Sequence, residues 1–222
     1  MKTNHAGPGA SLEPKELVSS MSHLAGALCA SGGAIFLIIK GVSDRVSTLQ
    51  LAALLIFACS MAALYVASGV YHLSKARGHL ATALRKLDHA MIYVLIAGSY
   101  TPICFFYLPL KKAAAFALVI WLIAAAGILV KMFCIDTPNW VSASLYILMG
   151  WAVVVDFHSF WIVDPYGMAL IAAGGLAYTA GGIIYAFKRP NLASFFGFHE
   201  LFHIFVLIGS FLHFTAVFFF MA

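Results

Sequence analysis

The 222-residue chain is 63% hydrophobic and only 9% charged, and its mean hydropathy is +0.98. These values exclude an ordinary soluble domain and predict an integral membrane protein. The net charge of +5 does not indicate a nucleic-acid partner, because the basic residues lie in the predicted loops and not on one amphipathic face.

Apolar runs separated by charged residues and Pro/Gly clusters predict an all-α bundle of seven transmembrane helices. About 20 apolar residues cross the roughly 30 Å hydrocarbon core, so seven spans account for most of the chain. Residues 1–17 are predicted as a short polar cytoplasmic tail, with no removable signal peptide, and 18–222 as a single membrane domain. The predicted spans are 18–40, 48–72, 88–109, 112–132, 140–157, 166–187 and 199–221.

The distribution of Lys and Arg predicts the orientation, because cytoplasmic loops carry an excess of both. A cytoplasmic N-terminus puts nine of these residues inside: Lys2, Lys15, Lys75, Arg77, Arg85, Lys86, Lys131, Lys188 and Arg189. It leaves four outside, namely Lys40, Arg45, Lys111 and Lys112. We therefore predict a multi-pass protein of the cell (plasma or inner) membrane, with the N-terminus cytoplasmic and the C-terminus outside.

Polar side chains interrupt the second and third spans at their inner ends. The second span ends "VASGVYHLSKARG", with Ser68 and His72 four residues apart on one helix face. The third begins "RKLDHAMIYVLIAGSYTP", with Asp88 and His89 at its inner end. An ionisable group in the membrane costs at least about 2.5–3.5 kcal/mol, so each one is a candidate for function.

The sixth span is rich in small residues, which allow a neighbouring helix to approach closely. This feature predicts close helix packing and does not indicate a catalytic or binding site. Its members are Ala173, Ala177 and Gly181 at four-residue spacing, beside Gly174, Gly175 and Gly182.

The seventh span opens with "FHELFH", which places His199 and His203 one helical turn apart. Read alone, H-E-x-x-H is a zinc-peptidase signature. An intramembrane metalloprotease fits less well, because such enzymes take a further ligand from a later helix and no acidic residue follows here. Glu200 lies about 100° round the helix from His199, so we predict a supporting role for it and not that of catalytic base.

The three inner helix ends together predict a zinc site. His72, His199 and His203 would supply three imidazole nitrogens, and a water or a carboxylate would complete four-coordinate zinc. Asp88 could hold that water or bind the metal directly. Ser68 could hydrogen-bond the water or a substrate carbonyl.

Each candidate also has an ordinary structural interpretation. A histidine near a helix end is often an interfacial hydrogen-bonding residue. Asp88 could be a solvated carboxylate or a helix cap, and Ser68 could bond its own helix backbone. His23 and His89 are predicted at the inner side, where they could hydrogen-bond to the site.

The stretches "SGVYH", "KLDHAMIYVLIAGSYTP" and "HELFHIFVLIGSFLHF", in this order, resemble the hemolysin III family. That family is the bacterial branch of the progestin and adipoQ (adiponectin-receptor-like) receptors. The resemblance covers nearly the whole chain and implies a seven-helix fold with Zn²⁺ near its cytoplasmic ends. It implies that the zinc ligands are His72, His199 and His203, that Asp88 positions a water on the zinc, and that Ser68 is the family's serine.

The hypothesis that follows is a zinc-dependent intramembrane hydrolase acting on a lipid amide or ester, similar to the alkaline ceramidases of the wider superfamily. Its partners would be membrane lipids, with the substrate entering sideways, and its role would lie in membrane homeostasis. The alternative is a non-enzymatic sensor of membrane state with a structural zinc. A cytolytic, hemolysin-like pore fits poorly, because no amphipathic secreted segment is present. The sequence leaves catalysis and a homo-oligomer open.

Overall fold

The computed structural model describes residues 13–160 and 163–222, and within these ranges every regular element is a helix. Seven helical segments are long and apolar enough to cross a membrane, so the chain is a multi-pass membrane protein of the predicted class. The helices are α1 Pro14–Ser43, α2 Thr48–Leu73, α3 Gly78–Tyr107, α4 Leu110–Phe133, α5 Asn139–Gly150 with its 3-10 continuation Ala152–Phe160, α6 Pro165–Phe187 and α7 Phe198–Phe220.

Short connections make successive helices antiparallel, and α7 returns to pack against α1. The start of α1, the end of α2 and the starts of α3 and α7 therefore lie at one end of the bundle. We call this the site end; Pro14, Leu73, Gly78 and Phe198 mark it.

Helix α1 begins at Pro14, inside the segment 1–17 that was predicted as a polar tail. Proline suits the first helical turn because its missing N–H would have no partner there. The acidic Glu16 also lies in the first turn, where the helix dipole favours a negative charge. The remainder of the predicted tail, residues 1–12, lies outside the described residues.

Helix α3 begins at Gly78 and not at residue 88 as predicted from hydropathy. Basic side chains near its start donate hydrogen bonds to the end of α4 and to the loop that follows α4. Arg85 Nη1 donates to Asp136 Oδ1 at 2.9 Å, and Lys86 Nζ donates to the Met132 carbonyl. A prediction based on runs of apolar residues ends the span where these charged residues begin. The helix itself continues through them.

The fifth span, predicted as one helix over 140–157, is broken. The α-helix ends at Gly150, and a 3-10 helix follows over Ala152–Phe160. Tyr100 of α3 bridges the break, because its hydroxyl donates to the Gly150 carbonyl at 2.6 Å and accepts from the Val153 amide at 3.0 Å. A side chain from another helix thus satisfies backbone groups that the break would leave unpaired in the membrane.

The small residues of α6 bring it close to α7, as the sequence predicts. A Cβ added at Gly181 would lie 2.9 Å from Phe205 Cβ, and one at Gly174 would lie 3.1 Å from the Gly209 carbonyl oxygen. These are backbone-proximal atoms of α7, so no side-chain rotation could make room. Glycine is therefore required at this contact.

We expect Gly181→Ala to lower the free energy of unfolding by about 1–3 kcal/mol, because the new methyl group would push α7 away. Denaturant unfolding in detergent micelles measures this. Gly175→Ala is the control, since its Cβ would meet only Trp151 Cζ2 at 4.0 Å. Both variants gain the same helix propensity, so equal stabilities would contradict the packing argument.

Candidate metal centre

Three imidazoles converge at the site end, from α2 and from two successive turns of α7. The potential ligand atoms of His72, His199 and His203 all lie within 4.8 Å of one another. His199 Nε2 and His72 Nε2 are 3.1 Å apart. Zinc–nitrogen bonds of about 2.0–2.1 Å in a tetrahedral site put the nitrogens roughly 3.3–3.4 Å apart, so the spacing suits a metal ion.

Hydrogen bonds from α1 orient two of these imidazoles. His203 Nδ1 is 3.2 Å from the Ser19 carbonyl oxygen. A carbonyl only accepts, so we assign the proton to Nδ1, which leaves the lone pair of Nε2 free. His72 Nδ1 is 2.6 Å from Glu16 Oε2, and this bond has the same effect. Metal-binding histidines usually donate their second N–H to a carbonyl or carboxylate in this way.

Ser68 and Asp88 line a small cavity beside the imidazoles of His199 and His203. Its volume is about 20 Å³, which is enough for one water molecule. Ser68 is 1% exposed and Asp88 is 7% exposed. The Ser68 hydroxyl lies next to the Asp88 carboxylate. It has no hydrogen bond of normal distance and angle to any described residue. The cavity thus presents a carboxylate and an uncommitted hydroxyl to the cluster.

His23 of α1 stacks on His203, with ring centroids 3.7 Å apart and an interplanar angle of 8°. Both of its ring nitrogens are buried without a hydrogen-bond partner among the described residues. Buried polar groups are normally satisfied. These nitrogens and the Ser68 hydroxyl therefore fit a site whose remaining partners are water or a bound ligand.

Glu200 is held away from the cluster, although it lies between two candidate ligands in the sequence. Its Oε2 accepts from the Gly197 amide at 2.7 Å and its Oε1 accepts from Ser19 Oγ at 3.1 Å. The glutamate therefore caps the start of α7 and ties that helix to α1. This position agrees with a supporting role rather than that of catalytic base.

His89 supports Asp88 from the same helix. Its Nδ1 donates to the Arg85 carbonyl at 2.9 Å, and its Nε2 accepts from the Tyr185 hydroxyl at 3.3 Å. The same Nδ1 lies 3.4 Å from Asp88 Oδ2. With both nitrogens engaged, His89 lies beside the carboxylate and lines the same cavity as His199 and His203.

Glu16 is a candidate site residue that sequence reasoning missed. It lies before the first apolar run, so a search by hydropathy leaves it in the tail. The missed signal is the spacing of Glu16, Ser19, Ser20 and His23, which puts four polar groups on one face of an otherwise apolar helix. The side chains of Glu16 and His23 contact candidate ligands, Ser19 accepts from His203 through its backbone carbonyl, and Ser20 Oγ donates to the Gly69 carbonyl at 2.9 Å.

A family model described as "Haemolysin-III related" matches residues 12–214, which include every residue of the cluster and cavity. The chain is 32% identical over 209 residues to the "Hemolysin-3 homolog" of Bacillus subtilis (strain 168), covering 93% of this chain and 94% of that protein. It is 31% identical over 209 residues to "Hemolysin-3" of Bacillus cereus, covering 93% and 91%. The "Heptahelical transmembrane protein ADIPOR2" of Oryza sativa subsp. japonica is 29% identical over 150 residues, covering 60% and 65%.

Proposed function

Since the chain belongs to the haemolysin-III-related family, we propose that it is a zinc-dependent hydrolase that cleaves an amide or ester bond of a membrane lipid. One observation supports this most. Asp88 and Ser68 lie on a cavity beside three converging imidazoles, so a carboxylate, a hydroxyl and metal ligands meet at one buried point.

The residues that would hold the ion are His72, His199 and His203. Three protein ligands are the usual number in catalytic zinc sites, whereas structural sites use four. Imidazole nitrogen suits zinc, and no thiolate is needed. A bound zinc ion would supply Lewis-acid polarisation of a carbonyl and would lower the pKa of a water molecule toward about 7.

The chain's own residues then have distinct tasks. The Asp88 carboxylate accepts a proton from the attacking water and returns it to the leaving amine or alcohol. The Ser68 hydroxyl, which lies next to the Asp88 carboxylate, donates to the oxygen of the scissile carbonyl. Ile92, Phe202 and Val206 contribute apolar walls that keep bulk water out. Water is added across the bond, and a fatty acid is released.

The charge distribution supports a cytoplasmic position for the site end. Among the described residues, the site end carries eight Lys and Arg, namely Lys15, Lys75, Arg77, Arg85, Lys86, Lys131, Lys188 and Arg189. The opposite end carries four, namely Lys40, Arg45, Lys111 and Lys112. By the positive-inside rule this favours a site at the cytoplasmic face of the cell membrane. Cleaving lipids there would adjust membrane composition, which is a role in membrane homeostasis.

A second candidate is a structural zinc in a non-enzymatic protein that senses or adjusts the state of the membrane. The observation that favours it is the size of the cavity. A volume of about 20 Å³ admits one water, so a lipid carbonyl could reach the cluster only if Phe202 or its neighbours moved. In this case the metal would serve to fasten α2 to α7.

Reconstituted protein separates the two candidates. Vesicles of phosphatidylcholine and ceramide are incubated with zinc-loaded, chelator-stripped and zinc-restored protein, and released fatty acid is measured by mass spectrometry. Hydrolysis predicts release that is lost on stripping and recovered with zinc. Zinc-loaded protein that releases no more than protein-free vesicles would contradict hydrolysis of these lipids, and tightly bound zinc would then favour the structural role.

A further inference from the structure

Glu16 connects the buried cluster to the outside of the bundle. Its Oε2 lies 2.6 Å from His72 Nδ1, yet 49% of its side chain is exposed, against 3% for His72. A half-exposed carboxylate thus holds a buried candidate ligand. The bond spans two helices, α1 and α2, at the site end.

An open pocket of about 230 Å³ lies on the exposed side of this pair. It is lined by Glu16, Tyr71 and His72, and by Ser74 and Ala76 of the connection between α2 and α3. It therefore opens at the loop end of the helices, where water is present. Its polar lining side chains are those of Glu16, Tyr71, His72 and Ser74.

His72 is the one member of the three-histidine cluster that lines this outer pocket, while His199 and His203 line the inner cavity. The His72 imidazole therefore forms the wall between the pocket and the cluster. An ion could pass from one to the other only if this ring turned aside. Turning it would break the hydrogen bond to Glu16.

We infer that Glu16 is a positioning residue that holds His72 in place over the metal centre, and that the outer pocket is the route by which a divalent metal ion enters and leaves. The inference rests on the proposed metal binding by the cluster. A carboxylate on the far nitrogen fixes the ring and makes its other nitrogen a better ligand. The half-exposed negative charge also attracts an incoming cation.

The fold of α1 does not depend on this bond. Ser19 is tied to Glu200 at 3.1 Å, and Ser20 is tied to Gly69 at 2.9 Å, so two other contacts fasten the same turns of α1 to α7 and α2. Replacement of Glu16 therefore leaves the helix anchored. Its effects on the metal can be measured on a folded protein.

The test is the rate at which zinc leaves the full-length protein in detergent when an excess of a chromogenic chelator is added. For Glu16→Ala we expect zinc affinity to fall about 10–100-fold and release to quicken correspondingly. Glu16→Gln should be intermediate, because its amide oxygen still accepts from His72 without the charge. In the Co²⁺-loaded protein, the visible absorption of Glu16→Ala should change because His72 is reoriented.

Glu13→Ala is the matched control, since it removes the same charge from the N-cap of α1, where the Glu13 side chain makes no capping hydrogen bond. It should release zinc at the wild-type rate. If Glu16→Ala and wild type release zinc equally, or if Glu13→Ala is equally fast, the inference is overturned while the metal site stands. If the wild-type protein binds no metal, the inference and the proposed function fail together.

Discussion

Replacing His203 with alanine is expected to remove zinc from the purified protein. The residue is 2% exposed, and its ring centroid lies 5.0 Å from that of His72 and 4.7 Å from that of His199. Losing a supporting partner of a ligand typically costs 10–100-fold in affinity, so losing a ligand should weaken binding by more than about 100-fold. Elemental analysis should show about one zinc per wild-type chain and background zinc in the variant.

His79→Ala is the control for this experiment, because His79 is an exposed histidine at the same end of the bundle. It should retain zinc. The void left by His203→Ala could also destabilise the fold. The unfolding of His203→Ala and of His79→Ala is therefore compared after metal has been stripped from both. A variant that is folded and free of metal supports the site, whereas equal zinc in His203→Ala and wild type would refute His203 as a ligand.

Asp88→Asn is expected to abolish most lipid hydrolysis while leaving zinc bound. The asparagine keeps the shape of the side chain but cannot accept the proton from water. Proton transfer by a positioned side chain contributes about 10²–10⁴-fold, and the rate should fall by that factor. Fatty-acid release and zinc content are measured on the same preparation.

Asp136→Asn is the matched change, since Asp136 is an exposed carboxylate at the same end that pairs with Arg85. Its activity should equal that of wild type. Full activity in Asp88→Asn would eliminate Asp88 as the base. Loss of zinc would instead identify Asp88 as a direct metal ligand.

The helices could be predicted from the sequence because hydrocarbon requires long apolar segments, and such segments can be counted. Their ends could not, because tertiary contacts determine them. Arg85 and Lys86 lie within α3 because the end of α4 and the following loop accept their hydrogen bonds. The hydroxyl of Tyr100 from another helix satisfies backbone groups at the break after Gly150, and no local pattern contains that information.

The candidate site was predictable where its residues break an apolar pattern. His72 and His203 do so near helix ends that a simple topology brings together, whereas Asp88 lies about three turns into α3, which begins at Gly78. Glu16 lies in polar sequence before the first apolar run, where hydropathy alone does not distinguish it from the rest of the predicted tail. Only the helical extension of α1 back to Pro14 puts it opposite His72.

The separation of the ligands along the chain has a consequence for biosynthesis. The two nearest nitrogens belong to residues 127 positions apart, on α2 and α7. The three-histidine cluster therefore does not exist until α7 has entered the membrane, and a chain arrested before that step has only His72 of the three candidate ligands. If the proposed metal binds, its occupancy would oppose the withdrawal of α7, by about 2.7 kcal/mol when free metal is 100 times its dissociation constant. Metal supply would thus decide how firmly a newly made chain retains its seventh helix.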